Sequence, residues 1–144
     1  MKVIFLDFNG VLDTDKDWDI IDDTNLSILI SAIKLTDSKI VITSSNKNTY
    51  YYLGRHNRLM SNLIKVLESY DVEVLGCTKL LETREEEIIE YLKSHPEITN
   101  YCIIDDDYVF ESMIEHQIKL KSQNDGGNGL QETNVEEIVR KLKI

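Results

Sequence analysis

The sequence predicts an α/β fold with a mostly parallel sheet and helices on both faces. Two observations carry this. Short apolar, β-branched runs alternate with longer amphipathic stretches, an order that reads β-α-β-α-β-α-β. Two of the apolar runs end abruptly on carboxylates, Lys2–Leu6 on Asp7 and Asn100–Ile104 on Asp105-Asp106-Asp107, and a third ends on Thr43-Ser44-Ser45. In such sheets ligands bind at the carboxyl ends of strands, so these strand-end residues are the candidate site.

The elements follow in order. Lys2–Leu6 reads as a buried strand. Thr24–Leu35 is helical, because Leu26, Leu29, Ile30 and Ile33 recur at helix spacing, with Asp23 or Thr24 as cap. Lys39–Thr43 is a β-branched strand. Asn57–Tyr70 is a helix with Leu59, Met60, Leu63, Ile64 and Leu67 on one side, and Val72–Leu75 is a short strand. Thr83–Ser94 is a helix with a capping box, Thr83 with Glu86. Asn100–Ile104 and Gln117–Lys121 are strands. Asn134–Lys143 closes the chain as a helix capped by Asn134, with Ile138, Val139 and Leu142 facing inward. A polar, glycine-rich loop, residues 122–128, precedes it.

The bulk numbers narrow the classes. A length of 144 residues, 42% hydrophobic and 29% charged, fits one soluble domain spanning 1–144. No apolar run approaches the ~20 residues of a membrane span, and Asp7 and Asn9 break the N-terminal apolar stretch, so no secretory signal is expected. Cys77 and Cys102 make neither a disulfide framework nor a zinc pattern, which predicts a cytoplasmic protein. The net charge of −10 argues against avid binding of duplex nucleic acid. It leaves room for a small phosphorylated ligand held by a few donors and a cation.

Carboxylates crowded at one sheet edge repel unless a proton or a cation neutralises them, and a hard divalent ion such as Mg²⁺ takes oxygen ligands. The Thr43 and Ser44 hydroxyls suit a phosphate oxygen, and one base among Arg84, Lys79 and Lys47 would complete a phosphate site. Asp7 is then a metal ligand, or also a nucleophile. Other features have plainer readings. Asp7 alone would pass for a turn residue, and Arg84 for a surface partner of Glu87. Tyr50-Tyr51-Tyr52 reads as a half-buried helix face, with base stacking as the alternative. His56, His95 and His116 show no ligand spacing. Trp18 lies in the acidic stretch 13–23, either roofing the site or anchoring that loop.

The stretch FLDFNGVLDT resembles the first motif of the haloacid dehalogenase-like (HAD) superfamily, an apolar strand followed by Asp-x-Asp and Gly-Val-Leu. IVITSS resembles its second motif, REEEIIEYL its third and YCIIDDD its fourth. Gly129-Leu130 and the last helix are similar to small HAD proteins without a large cap, including a branch linked with RNA-repair proteins. The resemblance implies a three-layer Rossmann-like fold with a minimal cap. It implies Asp7 as nucleophile and Mg²⁺ ligand, and a backbone carbonyl at position 9 for the metal. Thr43, or Ser44, would bind the phosphoryl group. Arg84, with Lys79 as rival, would stabilise its charge. Asp105 would be the second acidic metal ligand and Asp106 the third or an outer partner. The implied activity is Mg²⁺-dependent hydrolysis of a phosphate monoester, with a nucleotide or a nucleic-acid end able to enter an open site.

Asn9 departs from the pattern, since the superfamily's phosphatases carry Asp there. That Asp protonates the leaving group and later activates water, which an amide cannot do. Three accounts stand open: an Asp replaced to trap a ligand, a natural slow or differently specialised phosphotransferase, or a protein that binds a nucleotide or other phosphorylated ligand without catalysis.

Overall fold

The computed structural model describes residues 1–8, 11–12, 21–43, 58–106, 110–121 and 126–143. Five strands form one sheet: β1 (Lys2–Leu6), β2 (Lys39–Ile42), β3 (Val74–Cys77), β4 (Asn100–Asp105) and β5 (Gln117–Lys119). Their order is β3-β2-β1-β4-β5 and every pairing is parallel. Four helices flank it: α1 (Asp23–Thr36), α2 (Arg58–Ser69), α3 (Arg84–Ser94) and α4 (Glu132–Leu142), with a 3-10 segment at Glu111–His116.

A parallel strand buried on both faces must be apolar throughout, and β1 shows why. Its even residues Ile4 and Leu6 pack with α1, α2 and α4. Its odd residues Val3 and Phe5 pack with Ile88 and Tyr91 of α3, with Phe110 and with Met113 of the 3-10 segment. Burying one such side chain stabilises by roughly 1.5–3 kcal/mol. The Phe5 ring meets Tyr91 and Tyr101 edge-on, at centroid distances of 5.9 and 5.8 Å. The sheet therefore has three helices on one face and α3 on the other. The chain winds outward from β1 through β2 to β3, then crosses back under α3 to β4. The direction reverses between β1 and β4, which makes that crevice the place for a ligand.

The structure moves several expected boundaries. The cap of α1 is Asp22, whose Oδ1 accepts from the Asn25 N–H at 2.9 Å, one residue before the expected Asp23 or Thr24. The strand expected at Val72–Leu75 lies at Val74–Cys77. Val72 is taken by the close of α2: its N–H donates to the Leu67 carbonyl, after Asp71 has turned left-handed at φ 61°. The last helix begins at Glu132 rather than at Asn134. Asn134 instead sits in its first turn, and its Oδ1 accepts from the Gln131 N–H at 2.8 Å. β5 stops at Lys119, two residues short, after which the Leu120 N–H donates to the Asp105 carbonyl. Residues 13–20 of the stretch 13–23 expected to carry the minimal cap, Trp18 among them, lie outside the described residues, as do Tyr50, Tyr51, Tyr52, Lys47 and His56.

Gly129 ties the start of α4 to the loop after β1. The Leu130 N–H donates to the Val11 carbonyl at 2.8 Å. The buried Asn25 amide donates to the carbonyls of Asn128 and Leu130, at 3.0 and 2.8 Å. Gly129 itself has φ +75°, and a Cβ there would lie 2.6 Å from the Val11 carbonyl oxygen and 2.8 Å from Asn25 Oδ1. Both the left-handed backbone and the close approach demand glycine. Gly129→Ala should cost at least about 2 kcal/mol, read as a lower urea midpoint at unchanged m-value.

Candidate active site

Register builds the site. Leu6 pairs with Ile42 on one side and with Ile104 on the other. The next residue on each strand is therefore abreast of its neighbours: Thr43, Asp7 and Asp105. Two further bonds extend the ladder past β1, Thr43 N–H to the Leu6 carbonyl at 2.9 Å and Asp7 N–H to the Ile104 carbonyl at 3.2 Å. By the alternation of the pleat, all three follow Val41, Phe5 and Ile103, which face α3. α3 supplies the counter-charge at its first residue, Arg84.

The Arg84 side chain is 10% exposed. Its Nη1 donates to Asp105 Oδ2 at 2.8 Å and lies 3.4 Å from Asp7 Oδ1. Arg84 is thus not a surface residue. Lys79, its rival, turns away: it is exposed and pairs with Glu90 at 3.3 Å. Asp7, Asp105 and Asp106 are all buried and each brings a carboxylate oxygen within 4.8 Å of the others. Three hard oxygen donors at that spacing, with one guanidinium against them, suit a divalent cation such as Mg²⁺.

Burial pushes the Asp7 carboxyl from its ordinary 3.8 up to about 7, helped by the charges of Asp105 and Asp106 and opposed by Arg84 and the Phe8 N–H. The Phe8 N–H donates to Asp7 Oδ1 at 2.9 Å. Thr43 is fully buried, and among the described residues its Oγ1 has no hydrogen-bond partner. An orphaned hydroxyl in that position carries a desolvation cost that an incoming oxygen would relieve. Thr43→Val should therefore stabilise the fold by about 1 kcal/mol while weakening the binding of inorganic phosphate at least about tenfold, checked by thermal melts and calorimetry.

Of the other expected site residues, Asn9, Ser44 and Asp107 lie outside the described residues. His95 and His116 stand apart from the cluster, stacked on Tyr91 and Tyr101 at 3.9 and 4.0 Å. Sequence reasoning missed two supports. Lys119, paired across the ladder with Asp105, donates to the carbonyls of Asp106 and of Leu120, so it steadies the turn that carries Asp106. Glu87 is buried and its Oε2 accepts from the Leu81 N–H at 3.0 Å, fixing the approach to Arg84. Both act on backbone groups, which leave no mark in a sequence.

A known family spans this whole arrangement: the one described as the HAD domain in Swiss Army Knife RNA repair proteins matches residues 3–135. The chain belongs to that family. The matched region starts in β1 and reaches α4, so it takes in Asp7, Thr43, Arg84, Asp105 and Asp106 together. At the level of the superfamily the chain is a HAD-type hydrolase, and its five-stranded parallel sheet is a Rossmann-like HAD fold. No curated protein and no solved structure matches it. Among the described residues of this HAD domain, no helix is long and apolar enough to cross a membrane.

Proposed function

We propose that this HAD domain is a Mg²⁺-dependent phosphate-monoester hydrolase working through an aspartyl phosphate on Asp7, and attenuated by Asn9. The observation that carries the reading is the buried meeting of Asp7, Asp105, Asp106 and Arg84 beside the unpartnered Thr43 hydroxyl. Asp7, Asp105 and Asp106, with the backbone carbonyl of residue 9, would hold Mg²⁺. When bound, the ion supplies positive charge against the phosphoryl oxygens.

The chain's own groups do the rest. An Asp7 carboxylate oxygen attacks phosphorus in line, forming the O–P bond as the bond to the leaving oxygen breaks. Thr43 and Arg84 hold the equatorial oxygens, the electrostatic work on which phosphoryl transfer chiefly depends. The leaving oxygen takes a proton from water, because the amide of Asn9 has none to give. Water then attacks the phosphorus, inorganic phosphate departs and the Asp7 carboxylate returns. The substrate is a small phosphorylated molecule or nucleotide. The family's association with RNA repair supports a nucleic-acid end as a further substrate of an open site. The net charge of −10 speaks for small or single-ended substrates rather than for a duplex.

The second reading, a non-catalytic binder of a phosphorylated ligand, is favoured by Asn9 itself. Phosphate release from an aryl phosphate, with and without Mg²⁺, separates the two when the chain is compared with Asn9→Asp. A gain of at least about tenfold in the variant supports the hydrolase. No turnover by either, together with a melting temperature raised by a nucleotide, supports the binder.

A further inference from the structure

We infer that Arg84 is a built-in competitor of the divalent cation: its guanidinium engages two of the three carboxylates a cation needs, and cation binding releases it to receive phosphate. The inference rests on the metal-dependent reading above and adds an order of events to it.

The side chains in dispute are on view. Arg84 Nη1 bonds Asp105 Oδ2 at 2.8 Å and approaches Asp7 Oδ1 at 3.4 Å. Those two carboxylates belong, with Asp106, to the set whose oxygens converge within 4.8 Å. A guanidinium and a cation seeking the same buried carboxylates oppose one another through like-charge repulsion that little solvent screens. Charge balance gives the sequence of binding. The acidic cluster of Asp7, Asp105 and Asp106 disfavours a phosphate dianion while Arg84 is engaged with it. A divalent cation offsets that negative charge and leaves the guanidinium able to turn.

The backbone under Arg84 is fixed, so the side chain alone has to move. Thr83 Oγ1 accepts from the Glu86 N–H at 3.1 Å, Glu87 holds Leu81, and Glu85 Oε1 accepts from the Ser112 N–H at 3.2 Å. The first turn of α3 is pinned on three sides. Thr43 Oγ1, buried at the neighbouring strand end and without a partner among the described residues, is the second group ready for the phosphoryl oxygens. Because coupling is reciprocal, phosphate should strengthen Mg²⁺ binding by the same factor that Mg²⁺ strengthens phosphate binding.

Calorimetry with Mg²⁺ alone, then with inorganic phosphate, tests this on the full chain, Arg84→Met and Arg84→Lys. Arg84→Met should bind Mg²⁺ at least about tenfold tighter than the parent and gain more in melting temperature from it, yet lose phosphate. Arg84→Lys keeps a charge without the planar fork, so it should fold without metal and bind Mg²⁺ with a smaller gain. Parent chain should bind phosphate only after Mg²⁺. Mg²⁺ binding by Arg84→Met alone would also support the competition. If the parent binds Mg²⁺ and neither variant binds it more tightly, or if phosphate binds the parent equally with and without Mg²⁺, the competition is overturned while the hydrolase reading stands. If no form of the chain binds Mg²⁺, the metal-dependent reading falls and takes this inference with it.

Discussion

Asn9→Asp should raise the Mg²⁺-dependent rate of phosphate release by roughly 10²–10⁴-fold with little change in KM. The expected size is that of general acid–base catalysis, the contribution that an amide at position 9 cannot make. On the proposed mechanism Asp7, Thr43, Arg84 and the acidic cluster would bind and polarise the phosphoryl group whether position 9 is an amide or a carboxyl, so the substitution would act on the departing oxygen and on the attacking water. Two signatures follow. An alkyl phosphate, whose leaving oxygen needs a proton, should gain more than an aryl phosphate, whose leaving oxygen departs readily without one. The variant alone should show a bell-shaped pH profile, since it gains a group that must be protonated in one step and ionised in the next. A flat response from both substrates would leave the binding reading in place.

Asp7→Asn should stabilise the metal-free chain at pH 8 by up to about 4 kcal/mol, and change little at pH 4. In the folded chain the Asp7 carboxyl sits at about 7, against 3.8 ordinarily, chiefly through burial. The folded state therefore holds this proton more tightly than the unfolded chain does. The associated stability is complete below pH 3.8, is lost as pH rises through about 7, and is constant beyond. An amide imitates the protonated carboxyl at every pH, so the variant escapes the loss. Melting temperatures in chelator at pH 4, 6 and 8, taken as variant minus parent, isolate this one group. Added Mg²⁺ should invert the order above pH 7, because the parent regains a use for the charge and the variant has surrendered a ligand. Turnover should disappear in the variant under all conditions.

Much of this was legible before the structure. β1, β2 and β4 stood out because strands buried on both faces must be apolar, and a carboxylate or hydroxyl at the end of such a run marks the place where burial stops. Thr83 with Glu86 identified the start of α3, and the structure shows that bond at 3.1 Å. What was not legible depended on how neighbours share a residue. Val72 has the composition of a strand but closes α2 instead. Asn134 has the composition of a cap but serves from inside the first turn. Arg84 and Lys79 were indistinguishable in sequence; only the packing of α3 over the odd face of β1 puts one beside Asp7 and turns the other toward Glu90.

The alignment of Leu6 with Ile42 and Ile104 carries a consequence for how such chains can diverge. The distance between the reacting groups is written as a parity, odd against even, along three adjacent β-ribbons. One codon added to or deleted from β1 or β4 would swing a carboxylate through the sheet to the opposite side, whereas the connecting segments can lengthen or shorten without disturbing it. Descendants of this protein should accordingly vary in their loops and keep the lengths of these ribbons unchanged.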